Sequence, residues 1–216
     1  MYFERAWNNG DLEMIKWLHK KNIRGCTTCA MDYAAEDGRL DVVKFLHENR
    51  SEGCTENAMD MAAWNGHLDV VKWLYENRTE GCTEMAMNNS AGNGYLNIVK
   101  FFHEKGEEFT ETAMDLAAEN GHLDVVKWLH ENQNGGCTTY AMDRASAKGY
   151  LDVVKWLHEN RTEGCTEHAM DYAAMNDHLD VVKWLHENRT EGCTQWVFVY
   201  AKQFPDVVKW IHENYY

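Results

Sequence analysis

The twelve residues GHLDVVKWLHEN, Gly121 to Asn132, return almost unchanged as GHLDVVKWLYEN at Gly66 to Asn77, and six further relatives are spread along the chain. The column Trp17, Phe45, Trp73, Phe101, Trp128, Trp156, Trp184 and Trp210 has spacings of 28, 28, 28, 27, 28, 28 and 26. A fixed period of this length overrides any local reading. Each copy is one supersecondary unit that can bury its apolar face only against its neighbours. The expected units are 1–25, 26–53, 54–81, 82–108, 109–136, 137–164, 165–192 and 193–216, taken together as a single domain over 1–216.

The unit from Cys165 to Gly192, CTEHAMDYAAMNDHLDVVKWLHENRTEG, divides at Asn176–Asp177 into two helical patterns. Mid-unit glycines at 10, 38, 66, 94, 121 and 149, and Gly-Cys-Thr at the head of six units, mark the turns. At about 100° per residue, Val181, Val182, Trp184 and Leu185 share an arc of about 160° on the second helix. On the first, Ala169, Met170, Ala173 and Ala174 fill about 140°. Thr166 is placed to cap that helix, and Glu167 suits its first turn. Helices of about ten residues do not hold alone, so stacking must stabilise them.

These phrases, GHLDVVKWLHEN and AMDYAA above all, resemble the ankyrin repeat over essentially the whole chain. The resemblance implies an all-α, helical-hairpin solenoid of eight ankyrin-like repeats. Two departures stand out. No proline occupies the opening motif, where residues such as His168-Ala169-Met170-Asp171 stand instead. The period is also about five residues short of the family's usual 33, which removes the connector that forms a β-hairpin finger. Tight loops and little or no strand are therefore expected.

Columns that stay constant between units mean packing; columns that change carry information. One changing column runs Cys29, Asn57, Met85, Thr112, Tyr140, His168, Trp196. A second runs Tyr33, Met61, Asn89, Leu116, Arg144, Tyr172, Tyr200, and a third Glu36, Trp64, Gly92, Glu119, Ala147, Met175. These are positions i, i+4 and i+7 of the first helix, and they form one stripe opposite the Ala-Met face. Aromatic and methionine side chains of this kind are enriched at interfaces. The expected partner-binding residues are Tyr33, Met61, Trp64, Met85, Tyr140, Arg144, His168, Tyr172 and Met175. Beside them runs an acidic column, Asp32, Asp60, Asp115, Asp143 and Asp171, with Asn88 in its gap. It reads either as a rail that draws a basic segment or as a set of carboxylates that bond donors of the next unit.

Composition narrows the classes of function. A net charge of −14 disfavours nucleic acid and anionic membrane surfaces. No stretch approaches the roughly 18 apolar residues of a membrane span, and the polar start MYFERAWNNGDLEM is unlike a secretory signal. Seven cysteines suit a reducing compartment, so cytoplasm or nucleus is expected and secretion is not. Eleven histidines invite a metal. Equivalent residues in stacked units lie about 10 Å apart, however, and ligands must lie about 2 Å from one ion. The same spacing forbids disulfides between consecutive units. The pair Cys26 and Cys29 lacks the βαβ setting of a redox motif. No nucleophile elbow, phosphate loop or metalloprotease motif occurs.

The expectation is a non-catalytic protein-interaction scaffold without metal or cofactor, binding a partner protein or peptide segment along the concave face. The partner would be basic if the acidic column guides it. The alternative is a structural spacer or a module that self-associates through Trp196, Phe198, Tyr215 and Tyr216 in the aromatic last unit. A hidden enzyme would need a pocket where the period breaks, near Lys105 to Phe109 or Gln195 to Pro205.

Overall fold

The computed structural model describes residues 7–8, 11–132 and 135–215, and it leaves the side chain of Tyr200 aside. Phe3 and Arg5, which the sequence assigns to a truncated first helix, and Tyr216 lie outside the described residues. Among the described residues every regular element is helical, with fifteen α-helices, one 3-10 turn and no strand. The chain gathers into two compact units, Met1–Glu108 and Phe109–Tyr216.

In the first unit the opening helices are Thr28–Glu36, Asn57–Trp64 and Glu84–Gly92, and the closing helices are Leu12–Lys20, Leu40–Asn49, Leu68–Asn77 and Leu96–Glu104. In the second, the opening helices are Glu111–Glu119, Thr139–Ala147, His168–Met175 and Val197–Tyr200. The closing helices there are Leu123–Asn132, Leu151–Asn160, Leu179–Asn188 and Pro205–Tyr215. Pro205 begins its helix at the one place where a missing amide hydrogen costs nothing. The last opening helix is cut to four residues and passes into the 3-10 turn Ala201–Gln203.

Within each unit consecutive opening helices pack closely, Thr28–Glu36 on Asn57–Trp64 and Thr139–Ala147 on His168–Met175. Alanines make this approach feasible: Ala58, Ala62, Ala63, Ala169, Ala173 and Ala174 are fully buried with Met59 and Met170. The closing helices bury Val70, Val71 and Leu74 and their equivalents Val181, Val182 and Leu185. Each such side chain contributes about 1.5–3 kcal/mol by leaving water. Trp184, assigned from periodicity to the same apolar arc, is only half-buried. Its ring lies at the edge, where His158 of the preceding repeat meets it at 5.2 Å, edge to face. The pairs His47–Trp73, His130–Trp156 and His186–Trp210 repeat this contact.

The loops carry a second tie. Arg78 makes an ion pair with Glu80 in its own loop, and its Nη1 also donates to Nδ1 of His47, 3.2 Å away in the preceding repeat. Arg161 and Arg189 do the same with Glu163 and His130, and with Glu191 and His158. Burial and charge together lock these loops without disulfides; all seven cysteines are free thiols. Cys54, Cys137 and Cys165 are buried, and Phe109, which takes the same column, is buried as well. Burial pushes the Cys137 thiol up to about 12, so it stays protonated. The terminal repeats close on aromatic side chains. Trp7 is fully buried at one end, while Tyr215 at the other meets the His186 ring at 5.0 Å and donates to the Met170 sulfur.

Candidate partner-binding stripe

The opening helices bury their alanine and methionine face, and this forces the opposite positions outward. Tyr33, Trp64, Met85, Tyr140, Met175 and Trp196 are exposed, between 36% for Met175 and 54% for Trp196. His168 is also exposed, and Met61, Arg144 and Tyr172 are half-buried. All nine expected partner-binding residues therefore reach the surface of their own unit. Not every stripe position does: Gly92 and Ala147 are buried, so the stripe narrows there.

In the first unit Cys29, Asp32, Tyr33 and Glu36 on one helix face Asn57 and Met61 on the next across a shallow cavity of about 230 Å³. That is smaller than the roughly 300–1,000 Å³ of ordinary small-molecule sites. In the second unit the stripe is already stacked on itself. The Arg144 guanidinium carbon stands 4.7 Å from the Tyr140 ring centre and 5.5 Å from that of Tyr172. The His168 ring lies over Tyr172 at 5.3 Å and 13°. The Tyr140 hydroxyl donates to Glu119 Oε2 at 3.4 Å.

The acidic column points elsewhere. Asp60 accepts hydrogen bonds from the Thr83 backbone nitrogen at 2.9 Å and from the Thr83 hydroxyl at 2.7 Å. Asp143 engages Thr166 in the same way at 2.8 and 2.7 Å, as Asp32 does Thr55, Asp115 Thr138 and Asp171 Thr194. Asp60, Asp115, Asp143 and Asp171 are buried. Burial raises the Asp143 carboxyl above its ordinary value, and the two Thr166 bonds offset part of that rise. Each threonine hydroxyl in turn accepts from a first-turn amide, as Thr166 does from the His168 nitrogen at 3.2 Å. One carboxylate thus binds the preceding repeat to the helix cap of the next, with both oxygens occupied.

No cluster of three potential metal ligands occurs among the described residues. The histidines of the HEN phrase meet aromatic rings edge to face, and His47, His130 and His158 also take a hydrogen bond from a loop arginine, the loop-bonding role that fits their sequence column; the ring contact was not legible there. The Arg-Thr-Glu-Gly phrases at 78–81, 161–164 and 189–192 signalled the loop pairs.

A family model described as ankyrin repeats (many copies) matches residues 31–75, 114–158 and 142–186, more than half of the chain. The chain belongs to the ankyrin-repeat family. Among solved structures 101 chains match. One is the crystal structure of the human ASB11 ankyrin repeat domain, similar with a TM-score of 0.60 at 20% identity over 74% of this chain and 83% of that one. At that identity the likeness speaks to the ankyrin fold alone. A search of curated proteins gave no match. Ankyrin repeats are in general protein-interaction modules, and among the described residues no helix is long and apolar enough to cross a membrane.

Proposed function

We propose that this ankyrin array is a non-catalytic binding module whose stripe holds a segment of a partner protein, anchored by Tyr33, Met61, Trp64, Met85, Tyr140, Arg144, His168, Tyr172 and Met175. One observation supports this above the others. Of the nine large hydrophobic side chains exposed among the described residues, six (Tyr33, Trp64, Met85, Tyr140, Met175 and Trp196) stand at stripe positions. A solvent face that drifted freely after duplication would collect polar residues, whereas contiguous exposed apolar groups mark binding surfaces. The free cysteines favour the reducing cytoplasm or nucleus as its setting.

Affinity capture with the wild-type array and with the Trp64→Ala, Tyr172→Ala double variant, followed by titration with the purified partner, tests the reading. Each substitution should weaken binding by roughly 1–4 kcal/mol without a change in thermal unfolding. Unchanged affinity removes the stripe as the interface. A second reading, self-association through the last repeat, draws on the exposure of Trp196 and Val199 there. Phe198 and Tyr215 favour it less, because their rings meet His212 and His186 of the same unit. Sedimentation of Trp196→Ala beside wild type separates the two readings.

A further inference from the structure

Arg144 differs from five of the other six described arginines, the exception being Arg24, which is exposed in a loop and makes no ion pair among the described residues either. Arg39, Arg50, Arg78, Arg161 and Arg189 each make an ion pair with an acid two residues away in sequence, Asp37, Glu52, Glu80, Glu163 and Glu191. Arg144 makes no ion pair among the described residues; its guanidinium rests on the Tyr140 and Tyr172 rings. Three carboxylates of its own and the adjacent repeats are engaged elsewhere. Asp143 is held by Thr166, Asp171 by Thr194, and Glu119 accepts from the Tyr140 hydroxyl. Arg144 is also the one Lys or Arg on the seven described opening helices.

A guanidinium held over aromatic rings still has N–H donors to offer and loses little rotamer freedom when an acceptor arrives. The acceptor that fits a planar fork is a carboxylate, bound through two parallel charge-assisted hydrogen bonds. We infer that the second unit's stripe recognises an aspartate or glutamate of its partner segment at Arg144, with apolar partner residues on either side meeting Tyr140, Tyr172 and Met175. A polyacidic segment does not fit, because the chain's net charge of −14 disfavours it. The expected motif is a single acid among apolar residues. This turns the charge preference away from the basic segment that the acidic column suggested, since those carboxylates are occupied by threonines.

The inference rests on the stripe being a protein-binding surface, and the test keeps the two apart. A displayed library of short random peptides is panned against the full chain, and recovered peptides are titrated against wild type, Arg144→Gln, Arg144→Lys, Arg144→Glu and Met175→Ala. Thermal unfolding is recorded for each variant. Recovered peptides should carry one Asp or Glu beside apolar residues. Arg144→Gln should weaken them at least about tenfold, the loss of a charge-assisted pair, and Arg144→Lys less. A peptide with its acid changed to Lys should regain affinity on Arg144→Glu. If Arg144→Glu fails to fold, Arg144→Gln still reports the loss. Peptides that need Met175 but ignore Arg144, or that carry basic residues at the shared position, overturn the inference and leave the stripe standing. Peptides that depend on no stripe residue overturn both.

Discussion

Gly66 lies beneath the ring of Tyr95, so close that a β-carbon at residue 66 would stand 2.6 Å from the ring edge. Its φ of +81° is also left-handed. The turn between the two helices of a repeat and the packing of the next repeat therefore ask for the same missing side chain. Gly81 has a similar φ of +77°, but nothing stands within 4 Å of its absent β-carbon.

This contrast makes the first prediction. Gly81→Ala should cost about 1 kcal/mol, the strain of a left-handed residue alone. Gly66→Ala adds a clash with a packed ring, and its total should reach about 2–4 kcal/mol. Urea unfolding of both variants measures the difference. Equal costs would mean that the Tyr95 ring moves aside freely.

Asp177 occupies the corresponding turn in its own repeat with φ of +65°, where sister repeats have glycine. Replacing it with glycine should stabilise the chain by about 0.5–1 kcal/mol, a rise in the midpoint of chemical unfolding.

The Asp143–Thr166 staple supports a double-mutant cycle. Asp143→Ala leaves a half-buried hydroxyl and amide without their acceptor and should cost about 1–3 kcal/mol. Thr166→Val removes the hydroxyl's bond to Asp143 and its cap on the His168 amide while keeping the backbone bond, and it should cost about 1–2 kcal/mol; the pair should couple by about 0.5–3 kcal/mol. Asp143→Asn should be the mildest, since an asparagine already stands in this column at Asn88.

The loop ion pairs set the response to acid. The Arg78 hydrogen bonds hold the Glu80 carboxyl down to about 2 from its usual 4.5. A carboxyl whose folded value is depressed adds stability above its unfolded value, and that contribution is lost as pH falls through the folded one. Glu80→Gln should therefore lower stability at neutral pH and flatten its decline between pH 4.5 and about 2. Asp143 has the opposite sign. Its value is raised by burial, so the folded state takes up a proton first and stability falls as pH rises from 3.8 to the raised value. Asp143→Asn should remove that fall. Thermal unfolding across the acid range reads both.

The sequence disclosed what repeats and hid what touches across repeats. Val181, Val182 and Leu185 were legible because helical periodicity places them on one face, and they are buried. Trp184 was misplaced because a wide apolar arc does not distinguish its centre from its rim; the His158 ring decides that, 26 residues earlier. The Tyr33, Trp64 and Met85 stripe could be found because variation confined to one helical face is visible within a single chain. The contact of Arg144 with Tyr140 and Tyr172 could not, although Tyr140 stands four residues before it and Tyr172 follows it in the same column, because a column of changing residue types does not say which of its members touch. The acidic column stayed between two readings for the same reason, as its threonine partners lie 23 residues downstream.

Every Asp–Thr staple runs one way: the acceptor belongs to the earlier repeat and the donor to the later one. At each of these five junctions the carboxylate is therefore made before the threonine that it holds. The C-terminal neighbour is needed to cover a repeat but not to start its first helix. Within each unit, truncation after a complete repeat therefore leaves an unused acceptor behind and no threonine cap without its carboxylate.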